Sequence, residues 1–233
     1  MTLVHTVAGP IESAQMGVCL PHEHILNDVR SWWSATTQIG VDPDWFRDAP
    51  VTMDLLWELR QDPFGNLDNC GMDDAELAIE ELGRFADLGG VTVLDATSVS
   101  IGRNLVGLRD ISQRTGLNII AGTGLYLDSS MTDEDRQLSV DEIAEILRRD
   151  LDGGEEDIRP GFIGEIGVSS DFTPAEKRSL QAASVVQVES GLPLQVHLPG
   201  WFRLGHQVLD VCEAQGVDPR NVVLCHMGPS GAD

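Results

Sequence analysis

The chain has 233 residues, 42% of them hydrophobic, and a formal charge of −23. That length supports one sizeable core and is short for two, so a single domain over residues 1–233 is expected. So acidic a surface repels polyanions, which makes nucleic acid and anionic membrane faces poor partners and favours a small, neutral or weakly charged substrate.

The N-terminal stretch MTLVHTVAGPIES lacks a basic segment followed by an uninterrupted apolar core, and no run approaches the roughly 18 apolar residues of a membrane span. Cys19, Cys70, Cys212 and Cys225 stand far apart without a C-x-x-C pair, against a zinc ribbon or a disulfide framework. A cytoplasmic protein with reduced thiols is expected. The first strand candidate, 17–24 (GVCLPHEH), is followed by a long irregular stretch, 25–72, with Trp32, Trp33, Trp45 and a short helix near 55–59. Asp73 and Asp74 then open a helix with apolar residues at Leu77, Leu82, Phe85 and Leu88, which Gly89 and Gly90 close. Further strands are expected at 91–98, 118–127, 161–169, 192–200 and 221–228, all short and rich in Val, Ile and Leu. Capping boxes start helices at Ser139 to Glu142 and at Thr173 to Glu176, the second with proline at its first position. Alternating strands and helices demand parallel pairing with right-handed crossovers, which gives an open doubly wound sheet or a (β/α) barrel.

His22 and His24 lie two apart on the first strand, so they share a face with Cα atoms about 6.5 Å apart and can grip one metal ion. Glu23 faces the opposite side. Glu165, His197 and His226 each stand where a later apolar run gives way to a loop. Parallel strands bring those ends together, and four imidazoles with one carboxylate suit zinc or a similar divalent ion. His5, ahead of the first strand, and His206, in a helical stretch with Val208, Leu209 and Cys212, read as structural or solvated. Cys225 precedes His226, so alternation turns it away from any metal. Tyr126, Trp201 and the Trp32, Trp33 pair could wall an apolar pocket. Gly122-Thr123-Gly124 is not a dinucleotide loop, since no helix opens directly after it.

The stretches TVAGPI, GVCLPHEHIL, LDATSVSIGRN, NIIAGTGLYL, GFIGEIGVSSDFTPAEKRSLQAAS, LQVHLPG and VVLCHMG, in that order, resemble the phosphotriesterase family of the amidohydrolase superfamily. The resemblance implies an α/β fold of the (β/α)8 TIM-barrel type with two divalent metal ions. It assigns His22 and His24 to the more buried metal, His197 and His226 to the second, and a bridging ligand to the fourth strand. Many members bridge with a carboxylated lysine. The single lysine here, Lys177, falls in the helix after that strand, so Glu165 takes the role, as in a glutamate-bridged subgroup. Zinc is the first choice of metal, and Mn, Co or Fe would suit the same ligands.

The implied activity is hydrolysis of a small ester, lactone, amide or organophosphate by a hydroxide shared between two metals. The alternatives are a TatD-type metal-dependent nuclease, disfavoured by the acidic charge, and a metal-binding protein without turnover. Six strand candidates fall short of the eight of a closed barrel, which typically takes about 250 residues. The chain is therefore expected to be truncated after strand 6, to lack the family's aspartate after strand 8, which Asp233 stands too early to replace, and to dimerise through its open edges.

Overall fold

The computed structural model describes residues 2–36, 40–154 and 156–230. An antiparallel hairpin comes first, β1 (Leu3–Thr6) and β2 (Gly9–Glu12). Next come β3 (Val18–Glu23) and an irregular stretch that holds a two-residue pair, β4 (Asn27–Asp28) with β5 (Gly71–Met72), and two short helices, α1 (Pro43–Asp48) and α2 (Leu56–Gln61). From there the chain alternates without a break. The order is α3 (Ala75–Asp87), β6 (Gly90–Asp95), α4 (Leu105–Thr115), β7 (Asn118–Thr123), α5 (Val140–Leu151), β8 (Phe162–Gly167), α6 (Pro174–Ser190), β9 (Leu194–His197), α7 (Gly205–Ala214) and β10 (Val222–Leu224).

The six expected strands all form, and they pair in parallel in the order β10-β9-β8-β7-β6-β3. Successive strands of the sheet are neighbours in space, the parallel arrangement that right-handed crossovers through helices produce. The sheet curls strongly. Gln195 on β9 reaches the Pro21 carbonyl on β3 (3.4 Å), and the rings of His22 on β3 and His226 beyond β10 lie 5.0 Å apart. The result is a six-stranded parallel half-barrel of the TIM type, with both edges open among the described residues. None of its described helices is long and apolar enough to cross a membrane.

Local chemistry explains the helix starts. Ser139 and Thr173 each accept the N3 amide while Glu142 and Glu176 reach back to the cap, so both expected capping boxes are present. Glu176 does more than cap. Fully buried, it also accepts from the Asp128 and Ser169 amides and thereby ties together the loops after β7 and β8. The structure adds two helices to those expected: α1, capped by Asp42 ahead of Pro43, and α4, capped by Asn104. In α3 the face packed on the core includes the half-buried Leu82 and Phe85, whereas Leu77 and, just past the helix, Leu88 are exposed.

Apolar side chains between the sheet and the helices form two large clusters, one under α3 and α4 and one under α5, α6 and α7. Inside the curl, Ala96, Ile120 and Phe162 pack with Val4 of the hairpin. The hairpin was also unforeseen, because β1 carries His5 and Thr6 in a four-residue strand too short to show alternation. It closes the end of the half-barrel opposite the loops that follow the strands, with Val7 buried and its amide donating to the Ile119 carbonyl (2.8 Å).

Candidate metal centre

Glu165 lies on β8, fully buried. Its two oxygens face different partners. Oε1 lies 3.0 Å from His226 Nε2 and 3.3 Å from His197 Nδ1, while Oε2 lies 3.5 Å from His22 Nε2 and 3.9 Å from His24 Nε2. The four histidines singled out in the sequence therefore converge on the Glu165 carboxylate at the C-terminal edge of the sheet.

Different local geometry delivers each of them. His22 is on β3 and His24 just past its end, separated by one residue as strand alternation requires. His197 ends β9. His226 lies two residues beyond β10 with φ of +60°, a left-handed turn that swings its ring back over the site. The expectation for Cys225 is corrected as well. Alternation does not extend past Leu224, and the buried thiol turns towards the site: burial, then the charge of Glu165 and hydrogen bonding to it, push Cys225 up to about 12. It stays protonated beside the carboxylate.

Electrostatics at the centre are strongly coupled. Burial pushes Glu165 up, but the interactions with His197, His22 and His226 outweigh it and hold the carboxylate far below its usual range. The same carboxylate raises His22. Burial lowers His24 to about 4, so that imidazole is neutral at pH 7.

Two observations fit a metal. His22 Nε2 and Glu165 Oε2 are buried without a hydrogen-bond partner, their 3.5 Å gap being too long for one. Donor atoms of His22, Glu165 and His226 also lie within 4.8 Å of one another, a nitrogen and oxygen set suited to zinc and its neighbours. Lys177 is far from this role, its ammonium packed over the Phe172 ring.

A cavity of about 310 Å³ opens above the cluster, lined by His24, Trp32, Tyr126, His197, Leu198 and His226 among others. Tyr126 is buried, its hydroxyl 2.8 Å from His197 Nδ1, and Trp32 stacks on its ring at 5.6 Å. Burial pushes the phenol far above its ordinary range, so it remains a donor. Trp33 instead donates to the Gly65 carbonyl (3.2 Å), and Trp201, 81% exposed, does not line the cavity. Glu23 faces a separate cleft beside Leu77 and Glu81 of α3. His5 on β1 and His206 on α7 stand apart from the centre, and Asp233 lies outside the described residues.

Sequence reading missed Asp95 and Thr97. Both are fully buried, and Thr97 Oγ1 lies 3.0 Å from His24 Nδ1. Asp95 ends β6 and Thr97 lies in the loop beyond it, and their partners could not be known without the pairing of β3 with β6.

The profile of the Phosphotriesterase family matches residues 2–233. A "Phosphotriesterase-related protein" of Nematostella vectensis is 33% identical over 228 residues, covering 96% of this chain and 65% of that protein. An "N-acetyltaurine hydrolase" of Danio rerio is 31% identical over 230 residues, with 97% and 65% covered. The crystal structure of a "Resiniferatoxin-binding protein" from Rhodobacter sphaeroides superposes with a TM-score of 0.92 at 48% identity, covering 98% of this chain and 64% of that one. The chain thus spans about 65% of the length of these relatives.

Proposed function

The chain belongs to the phosphotriesterase family, and from that premise we propose that it is a hydrolase holding two divalent ions, zinc first among them, which acts on a small ester, lactone, amide or organophosphate. One observation carries the reading: a single buried carboxylate presents one oxygen to the His22, His24 pair and the other to the His197, His226 pair. Glu165 would bridge, and each histidine pair would hold one ion. When bound, such a pair supplies Lewis acidity at a carbonyl or phosphoryl oxygen and lowers the pKa of a water.

The chain's own residues have separate tasks. The negative charge of Glu165, retained because its pKa is depressed, offsets part of the charge of two cations. Neutral His24 offers a lone pair without needing to lose a proton first. Trp32, Val29, Ile101 and Leu198 give the cavity an apolar wall that excludes water from a substrate's uncharged portion, and Tyr126 offers a hydroxyl donor beside them. No Lys or Arg lines the cavity among the described residues, in keeping with a neutral substrate.

The test is reconstitution of the purified protein with Zn, Mn or Co, elemental analysis, and turnover on an aryl ester, a lactone, an N-acyl amide and an organophosphate triester. Two metal equivalents with hydrolysis of at least one class, lost in Glu165→Gln, is the expected result. Metal uptake without turnover would leave a binding protein, and cleavage of single-stranded DNA alone would favour the nuclease reading.

A further inference from the structure

Register places Asp95, the last residue of β6, beside Glu23, the last of β3 and the residue between the two histidines. From there its carboxylate makes contacts that all lead to His24. Oδ2 accepts from the Ile25 amide (2.8 Å), directly after His24, and Oδ1 accepts from the Thr97 amide (3.1 Å). Thr97 Oγ1 lies 3.0 Å from His24 Nδ1, and the Thr97 side chain also interacts with this carboxylate, holding it down against the effect of burial. Asp95 and Thr97 are wholly shielded from water, so no solvent competes for these bonds.

A hydroxyl has one proton. An ionised carboxylate only accepts, so a Thr97 hydroxyl that gives its proton to Asp95 can only accept from His24. Nδ1 of His24 must then carry the ring proton, which leaves Nε2 with its lone pair aimed at Glu165 Oε2, 3.9 Å away. A lone pair facing a carboxylate oxygen is repulsive until a cation lies between them.

We propose that Asp95 and Thr97 form a positioning relay that fixes the ring angle and the Nδ1–H tautomer of His24 and so presents Nε2 to a metal ion. The relay rests on the metal-centre reading, yet its tautomer can be seen without metal. An outer partner of this kind typically changes metal affinity about 10- to 100-fold when removed. Nothing in the sequence distinguishes Thr97 from its neighbour Ser98; only the fold brings its hydroxyl to the histidine.

The experiment compares wild type with Thr97→Val, Thr97→Ser and Asp95→Asn, each checked for native circular dichroism and cooperative melting. Long-range 1H–15N NMR of the metal-free proteins should show His24 protonated at Nδ1 in wild type and Thr97→Ser, and an Nε2–H or mixed tautomer in Thr97→Val. Chelator competition with Zn or Co should show about 10- to 100-fold weaker binding for Thr97→Val and Asp95→Asn, and Thr97→Ser within about threefold of wild type. A wild-type His24 protonated at Nε2 overturns the relay whatever the variants do. Wild-type tautomer and affinity in Thr97→Val overturn it while leaving the metal centre intact, and a wild type that takes up no metal overturns both.

Discussion

Glu165 is the residue on which most of the proposed chemistry depends, and its two oxygens make a graded prediction. Glu165→Gln keeps the shape and loses the charge, so it should retain at most one metal equivalent, whereas Glu165→Asp keeps the charge on a shorter arm and should lose less. Elemental analysis checks both; full metal content in the Gln variant would remove Glu165 from the bridge. His22→Ala and His24→Ala should each empty the same one of two sites, since either deletion leaves that ion under-coordinated. A second prediction concerns pH in the metal-free protein. Burial raises Asp95 from 3.8 to about 6 and lowers His24 from 6.5 to about 4. Between pH 4 and 6 the folded state therefore binds the extra proton at Asp95, so that group's contribution to stability falls as pH rises. His24 works in the opposite sense, because the unfolded chain binds its proton more readily, so its contribution rises with pH through about 4 to 6.5. Each is worth up to about 3 kcal/mol, and in wild type they largely cancel. Removing one exposes the other: urea denaturation should show His24→Gln losing stability from pH 4 to 6 and Asp95→Asn gaining it. Parallel slopes in the two variants would contradict the assignment.

Among the elements, β8 approaches β7 and β9 too closely for side chains at particular positions. A Cβ on Gly122 would lie 2.0 Å from the Gly164 carbonyl oxygen, and one on Gly164 would lie 2.5 Å from the Gln195 carbonyl oxygen. Gly122→Ala must force the strands apart, at a cost of about 3 kcal/mol or more, and shift Glu165 with them. Gly83 in α3 has open space where its Cβ would go, so Gly83→Ala should stabilise by about 0.5 to 1 kcal/mol. Thermal melts of the two variants should move in opposite directions. Arg103 links the elements behind the site: nearly buried, it makes a two-pronged pair with Asp150 of α5 (2.6 and 2.8 Å) and donates to the Gly122 carbonyl (2.9 Å). Arg103→Ala would leave Asp150 unpaired and should cost about 3 to 5 kcal/mol. How legible such features were follows from what each depends on. The six parallel strands could be read because their Val, Ile and Leu runs are local. Their ends could not, since the expected strands at 91–98 and 118–127 stop at Asp95 and Thr123, while the buried residues that follow, Ala96 to Ser98 and Gly124 to Tyr126, fold over the site as loop. The same difference explains His226 and Cys225. Their positions at a strand end were legible, but the end of β10 at Leu224 and the left-handed conformation of His226 were not.

At the scale of the whole molecule, the curl that gathers the histidines also leaves two edges. β3 and β10 each pair on one side only among the described residues, and each carries an exposed apolar side chain, Val18 at 61% and Val223 at 48%. Unpaired strand edges are templates for association, and the edge of β3 is bordered by a cleft of about 800 Å³ lined by Leu20, Ile25, Leu77 and Leu82 among acidic residues. Opposing this, every copy carries a formal charge of −23, so two copies repel at long range. That repulsion is screened over about 10 Å at 0.1 M salt and about 3 Å at 1 M, while backbone pairing and apolar contact at the edges are short-ranged and hardly screened. The balance therefore moves with ionic strength in a definite direction. The 233-residue chain should be largely monomeric in dilute solution at low salt and should self-associate as protein or salt concentration rises. Sedimentation velocity across a salt series checks this, and lysine placed on the edge, as in Val18→Lys, should suppress the association without lowering metal uptake. A chain that stays monomeric at every salt and protein concentration while unfolding in one cooperative step would mean that the half-barrel's edges are already satisfied.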